Sequence, residues 1–142
     1  MDLLAGRRHV GVMCGNITFD DRSRSDCSLG YCQSSDLHIG ELTVYQNLYY
    51  SCQLRASGTQ SLSTQQIDEK CSFVASLVGL DSAFDTLVGN ILIKGISGGQ
   101  QKLLSIATEL LGNPQVLFLD EVPHSPPSLP PPSHPLPSQL LV

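Results

Sequence analysis

The chain has 142 residues, 41% of them hydrophobic, and a formal net charge of −5 from 8 Lys and Arg against 13 Asp and Glu. That length allows at most one ordinary domain. The only basic clusters, Arg7-Arg8 and Arg22 with Arg24, are too small for a nucleic-acid surface, so no nucleic acid is expected as a partner.

At the start, Asp2 to Arg8 reads as the last turns of a helix, with Arg7 and Arg8 where cations suit its dipole. Leu3-Leu4-Ala5 is too short for a signal-peptide core, and the arginines follow it instead of preceding it. No apolar run approaches the roughly 18 residues that span a bilayer. His9 to Asp20 alternates loosely around Gly11 and Gly15 and ends in Ile17-Thr18-Phe19, a strand, followed by the polar turn Asp20 to Asp26. Leu29 to Cys32 is a short apolar piece before the polar loop Gln33 to Asp36.

Thr43-x-x-Gln46 is a capping-box pattern, in which hydroxyl and amide satisfy each other's backbone N–H. It opens a helix to about Arg55, with Val44, Leu48 and Cys52 at four-residue steps. A second helix runs from about Thr64 to Leu77; Ile67, Cys71, Val74 and Val78 keep the helical spacing, and Gly79 stops it. The third has Ser97 as N-cap and an apolar stripe of Leu103, Leu104, Ala107, Leu110 and Leu111. Gly112 ends it and Pro114 forbids continuation. Val116 to Leu119 is an uninterrupted apolar run, expected to be a strand buried on both faces of a parallel sheet.

Composition changes at Val122. All of the nine prolines except Pro114 lie beyond it, and every Asp, Glu, Lys and Arg lies before it. The expected organisation is a folded part over 1–121 and a disordered Pro/Ser-rich tail over 122–142. The five cysteines show neither C-x-x-C nor paired-histidine spacing, which fits reduced cytosolic thiols better than a disulfide framework or a zinc site.

Two features point to chemistry. Gly98 and Gly99 leave bare backbone N–H groups at the positive end of a helix dipole, a ready phosphate site; taken alone, the same pattern is also that of an ordinary capped helix with a glycine-rich entry. Asp120 and Glu121 stand at the carboxyl end of a parallel strand, where such sheets bind ligands. An aspartate there holds Mg²⁺ in phosphoryl-transfer sites, and a neighbouring acid orients the attacking water. Read without the glycine helix, the acid pair can equally mark the strand's exit into solvent.

ISGGQQK followed by LLGNPQVLFLDE resembles the signature motif and Walker B strand of ATP-binding cassette (ABC) transporters. In order, MDLLAGR is similar to the helix after the phosphate-binding loop, GYCQSSDLHIGELTVYQNLYYSCQLR to the Q-loop and helical subdomain, and DTLVGN-x-x-IKGISGGQ to the approach to the signature. LLAGR, LTVYQNL and DTLVG are similar to subfamily G, the white and pleiotropic-drug-resistance type. The resemblance covers roughly residues 1–121.

It implies an α/β fold, an incomplete P-loop NTPase core with a helical subdomain. It implies ATP and Mg²⁺ as cofactors. Gln33 becomes the Q-loop glutamine that senses Mg²⁺ and the γ-phosphate. Ser97, Gly98, Gly99 and Gln100 contact the γ-phosphate of ATP held by a second cassette. Asp120 becomes the Mg²⁺ residue and Glu121 the general base. The partners implied are that second cassette and a transmembrane domain, which places a parent transporter's cassette at the cytoplasmic side of a membrane and leaves the piece itself cytoplasmic.

Departures from the pattern set further expectations. No G-x-x-x-x-G-K-[ST] occurs, the D-loop and switch histidine have no counterpart, and His124 lies too close to Glu121 to serve as the latter. The expected reading is a chain truncated at both ends, with little or no hydrolysis by itself. Two alternatives are a non-catalytic interaction protein acting through P-x-x-P spacing in its tail and a regulatory half-site for another cassette.

Overall fold

The computed structural model describes residues 2–7, 11–12, 14–35, 37–56 and 62–120. The expected tail and Glu121 lie outside the described residues, as do His9, Val10 and Met13 of the first expected strand.

Among the described residues, seven elements follow in chain order: β1 (Thr18–Phe19), β2 (Arg22–Ser23), β3 (Leu29–Cys32), α1 (Val44–Ala56), α2 (Thr64–Leu77), α3 (Gly98–Leu110) and β4 (Val116–Leu119). Short 3-10 turns occupy Arg24–Asp26 and Asp81–Ala83. All three helices open on the same device. Thr43, Ser63 and Ser97 each accept the N–H of a glutamine three residues on, at 3.1, 3.3 and 3.2 Å. Each of those glutamines, Gln46, Gln66 and Gln100, accepts the cap residue's own N–H in return at 3.0, 2.9 and 2.9 Å. Two orphan donors are thereby satisfied per helix, without tertiary help.

The core is helical. Leu48 from α1, Leu104 from α3, Leu80 and Leu111 are fully or almost fully enclosed, with Cys52, Cys71, Val74, Ala75 and Ala107 packed around them. Burial of each such leucine contributes about 1.5–3 kcal/mol. Leu103 and Leu110, expected in the same stripe, are only partly buried and pack on the core's margin.

A ladder of backbone bonds closes the core between helices. Val44 and Tyr45 donate to Thr86 and Phe84, and Val88 and Gly89 donate to Leu42 and Gly40. Here three main chains touch. A Cβ on Gly40 would stand 2.6 Å from the Gly89 carbonyl oxygen, and one on Gly95 would stand 2.1 Å from that of Val88. Glycine is the side-chain-free solution to such an approach.

Two small sheets complete the body. β1 and β2 form an antiparallel hairpin, while β3 and β4 pair in parallel with Leu29 opposite Val116 and Cys32 opposite Leu119. Phe19 of the hairpin meets Phe118 of β4 edge-on at 6.0 Å, tying the sheets together.

Three expectations are corrected. Asp2–Gly6 forms hydrogen-bonded turns and no helix, closed by Gly6 N–H to Leu3 O and Arg7 N–H to Asp2 O; Gly6 has φ +73°, outside helical space. Among its described residues, the segment before Asp20 supplies a two-residue strand, which ends where Asp20 and Asp21 take left-handed conformations (φ 51° and 62°) that turn the chain back at once. Finally, β4 is not buried on both faces: only Phe118 is buried, and Val116, Leu117 and Leu119 are half-covered. Among the described residues its sheet has two strands, so burial depends on the few side chains that fold over it.

Candidate functional site: a polar cavity at the ends of two parallel strands

In register, Cys32 and Leu119 are the last residues of β3 and β4, and the Asp120 N–H continues the ladder by donating to Cys32 O at 3.0 Å. The residues that follow, Gln33 and Asp120, leave the sheet side by side. They line a cavity of about 350 Å³ together with Asp2, Arg7, Tyr31 and Ser34. Ligand crevices in open parallel sheets lie at this carboxyl edge.

The lining is tightly cross-connected. Tyr31 Oη donates to Asp2 Oδ1 at 2.7 Å and lies 3.5 Å from Asp120 Oδ2. The Arg7 guanidinium lies over the Tyr31 ring, 4.4 Å from its centre, a cation–π arrangement. With its amide turned so that the oxygen faces Arg7, Gln33 accepts from both terminal guanidinium nitrogens at 3.1 and 2.5 Å. The hydrogen bond to Asp2, then burial, then the Asp120 charge push the Tyr31 phenol up to about 12.

Two carboxylates, Asp2 and Asp120, face this water-accessible cavity, beside a Tyr31 phenol that keeps its proton and a Gln33 amide oxygen turned to Arg7. Such a set suits Mg²⁺, which is held by one or two carboxylates and keeps several waters. No three of the described His, Cys, Asp and Glu residues cluster as a metal site, so any ion here leans on those waters.

Ser97, Gly98, Gly99 and Gln100 do not line this cavity. They form the tip of α3, where Ser97, Gly98 and Gly99 are exposed and a Cβ on Gly98 would meet nothing within 4 Å. Ser97 Oγ accepts from Gln100 N–H, which leaves the hydroxyl proton available to donate. The Gln100 amide oxygen is already taken by the Ser97 N–H.

Four cavity residues, Asp2, Arg7, Tyr31 and Ser34, were not singled out from the sequence as site residues. Lys102 was also missed. It is one of two buried polar side chains among the described residues, the other being Asn47. Its ammonium donates to the backbone carbonyls of Gln33 and Ser34, the latter at 3.0 Å. A lysine inside a helix that is otherwise stripe-patterned is the one signal that could have found it, since lysine is almost never fully buried unless paired.

A parallel strand pair carrying an amide and an acid at its rim, with a glycine-tipped helix between the two strands in the chain, is the arrangement of a nucleotide-binding cassette core. The family model described as ABC transporter matches residues 3–123, and the chain belongs to that family, with a P-loop NTPase fold. Its relatives place it with subfamily G. It is 40% identical over 127 residues to ABC transporter G family member 48 of Oryza sativa subsp. japonica, an alignment covering 85% of this chain and 8% of that protein. It is 36% identical over 124 residues to the broad substrate specificity ATP-binding cassette transporter ABCG2 of Sus scrofa, covering 85% of this chain and 19% of that one. ABC transporter G family member 38 of Arabidopsis thaliana is 39% identical over 127 residues, with coverage of 85% and 9%. The chain thus spans under a fifth of the length of these relatives. Among the described residues no helix is long and apolar enough to cross a membrane.

Proposed function

We propose that residues 1–121 supply the Q-loop, signature and Mg²⁺-binding acid of an ATP-binding cassette whose nucleotide hydrolysis drives transport through a membrane partner, with residues 122–142 a separate tail. The observation that carries this reading is the convergence of Gln33 and Asp120 at the ends of two paired parallel strands, on one cavity of oxygen donors. Sequence distance does not bring them together; the β3–β4 register does.

In this reading Asp120 would hold Mg²⁺ with the help of Gln33, and Glu121, next along the chain, would accept a proton from the attacking water. Ser97 and the bare amides of Gly98 and Gly99 donate to the γ-phosphate of ATP seated on a second cassette. When bound, Mg²⁺ would supply charge shielding for the phosphate oxygens of ATP. The protein works by position and electrostatics, since phosphoryl transfer asks for little covalent chemistry from its catalyst. The cassette sits on the cytoplasmic side of the membrane through its transmembrane partner.

The test uses Mn²⁺ as a paramagnetic stand-in for Mg²⁺ and the whole chain in solution. Broadening of the NMR signals of Tyr31, Gln33 and Asp120 at sub-stoichiometric Mn²⁺, abolished in Asp120→Asn, is the expected result. Broadening that survives Asp120→Asn, or none at this cavity in the wild type, overturns the reading.

A further inference from the structure

Lys102 occupies an expensive place. It lies in the second turn of α3, near the positive end of the helix dipole, and is only 7% exposed. A cation there meets an unfavourable dipole and loses its hydration. Two carbonyl oxygens that converge on its ammonium, those of Gln33 and Ser34, offset part of these costs. Neither carbonyl belongs to a strand or a helix. The lysine therefore satisfies the backbone of a loop, and the loop is the one that carries Gln33.

Two further side chains hold the same connection. His38 Nε2 lies 3.0 Å from Gln101 O and 2.9 Å from Ser105 Oγ, both on α3. Asn47 of α1 treats Ile39 as a strand neighbour would. Its Oδ1 accepts the Ile39 N–H at 3.2 Å and its Nδ2 donates to the Ile39 carbonyl at 3.1 Å. The path from β3 to α1 is thus fastened to α3 at Gln33, Ser34 and His38, and to α1 at Ile39.

We propose that Lys102, assisted by His38, is a positioning residue that fixes the backbone of Gln33 to the signature helix, so that the cavity glutamine and the Ser97–Gly99 tip move as one body. Lys102 lies about one turn, roughly 6 Å along the axis, from that tip. A rigid helix carries displacement over that distance without loss. The fastening stands on the contacts alone; its consequence for metal handling rests on the reading of Gln33 given above.

Backbone ¹⁵N relaxation on the full chain tests it. In the wild type the order parameters of Gln33 and Ser34 should lie near the rigid value of about 0.85, and in Lys102→Met fall below about 0.6. α2 should not change, because a general loss of stability would loosen it as well. Lys102→Arg, which keeps the charge and the donors, should restore most of the rigidity. The affinity of the cavity for Mn²⁺ should fall about tenfold in Lys102→Met, the scale of one charge-assisted hydrogen bond. Should that variant not fold, His38→Leu removes the neighbouring fastening, and the same local loosening is expected. Rigid Gln33 and Ser34 in the variant, mobile ones in the wild type, or loosening shared equally by α2 overturns the inference. Local loosening in a protein whose cavity takes no Mn²⁺ supports the fastening and refutes only the metal reading.

Discussion

Tyr31 connects the turn at Asp2 with the acid at Asp120, and its phenol is pushed up to about 12 by the Asp2 bond first and by burial next. The folded state holds this proton more tightly than the unfolded chain does. Its contribution to stability is therefore complete below pH 10 and lost as pH rises through about 12. Tyrosinate absorbance followed against pH should show Tyr31 and Tyr45 ionising late, and Tyr31→Phe should halve that late step. Tyr45, bonded to Asp68 at 2.6 Å, is raised to the same range and supplies the internal comparison. Cys71 is a second residue whose surroundings decide its chemistry. Burial, and then the neighbouring Cys52, push its thiol up to about 12, while Cys14 is exposed. Maleimide at neutral pH should label Cys14 in the native protein and reach Cys71 only on unfolding, because the thiolate is the reactive form. At this scale the sequence was informative where chemistry is local and silent where it is not. Gln33 and Asp120 were legible from motifs; Asp2, Arg7 and Lys102 reach their partners through folding, and no spacing rule exposes such contacts.

Among the elements, the helices were the most legible part of the chain. Each starts at a Thr or Ser three residues before a glutamine, a bond pattern internal to four residues, so sequence alone sets α1, α2 and α3 within a residue or so. The stop signals at Gly79 and Gly112 are equally local. The burial of β4 was not legible, because an apolar run records what a strand can bury and not which layers cover it. The segment leading to α3 depends on the contact of Gly40, Gly89 and Gly95. Gly95→Ala should destabilise the protein by about 3 kcal/mol, since its methyl would meet backbone carbonyl rather than a side chain that could swing away. Thermal or urea unfolding measures this. Gly98→Ala, with nothing within 4 Å of the new methyl, should cost little and slightly favour the helix.

For the molecule as a whole, stability is divided unequally. The three helices and the loop around Val88 enclose the main core, whereas the β3–β4 sheet contributes Cys32 and Phe118 as its buried apolar side chains. Leu54, Phe73, Ile91 and Leu92 add exposed apolar surface. Native-state hydrogen exchange should therefore show the amides of α1 and α3 opening only with global unfolding, and those of β3 and β4 opening earlier. Equal protection in sheet and helices would contradict this division. The chain should also self-associate as concentration rises, detectable by light scattering, because the β3–β4 sheet, two-stranded among the described residues, leaves edges able to pair.

The guanidinium of Arg7, lying across Tyr31 and on Gln33, adds a last consequence. A divalent ion approaching Asp120 finds a resident cation, and two positive charges a few ångströms apart repel. On the reading proposed for Asp120, ion entry and arginine departure become a single exchange, so Arg7→Gln should bind Mn²⁺ more tightly than the unaltered protein and yield it more slowly to a chelator.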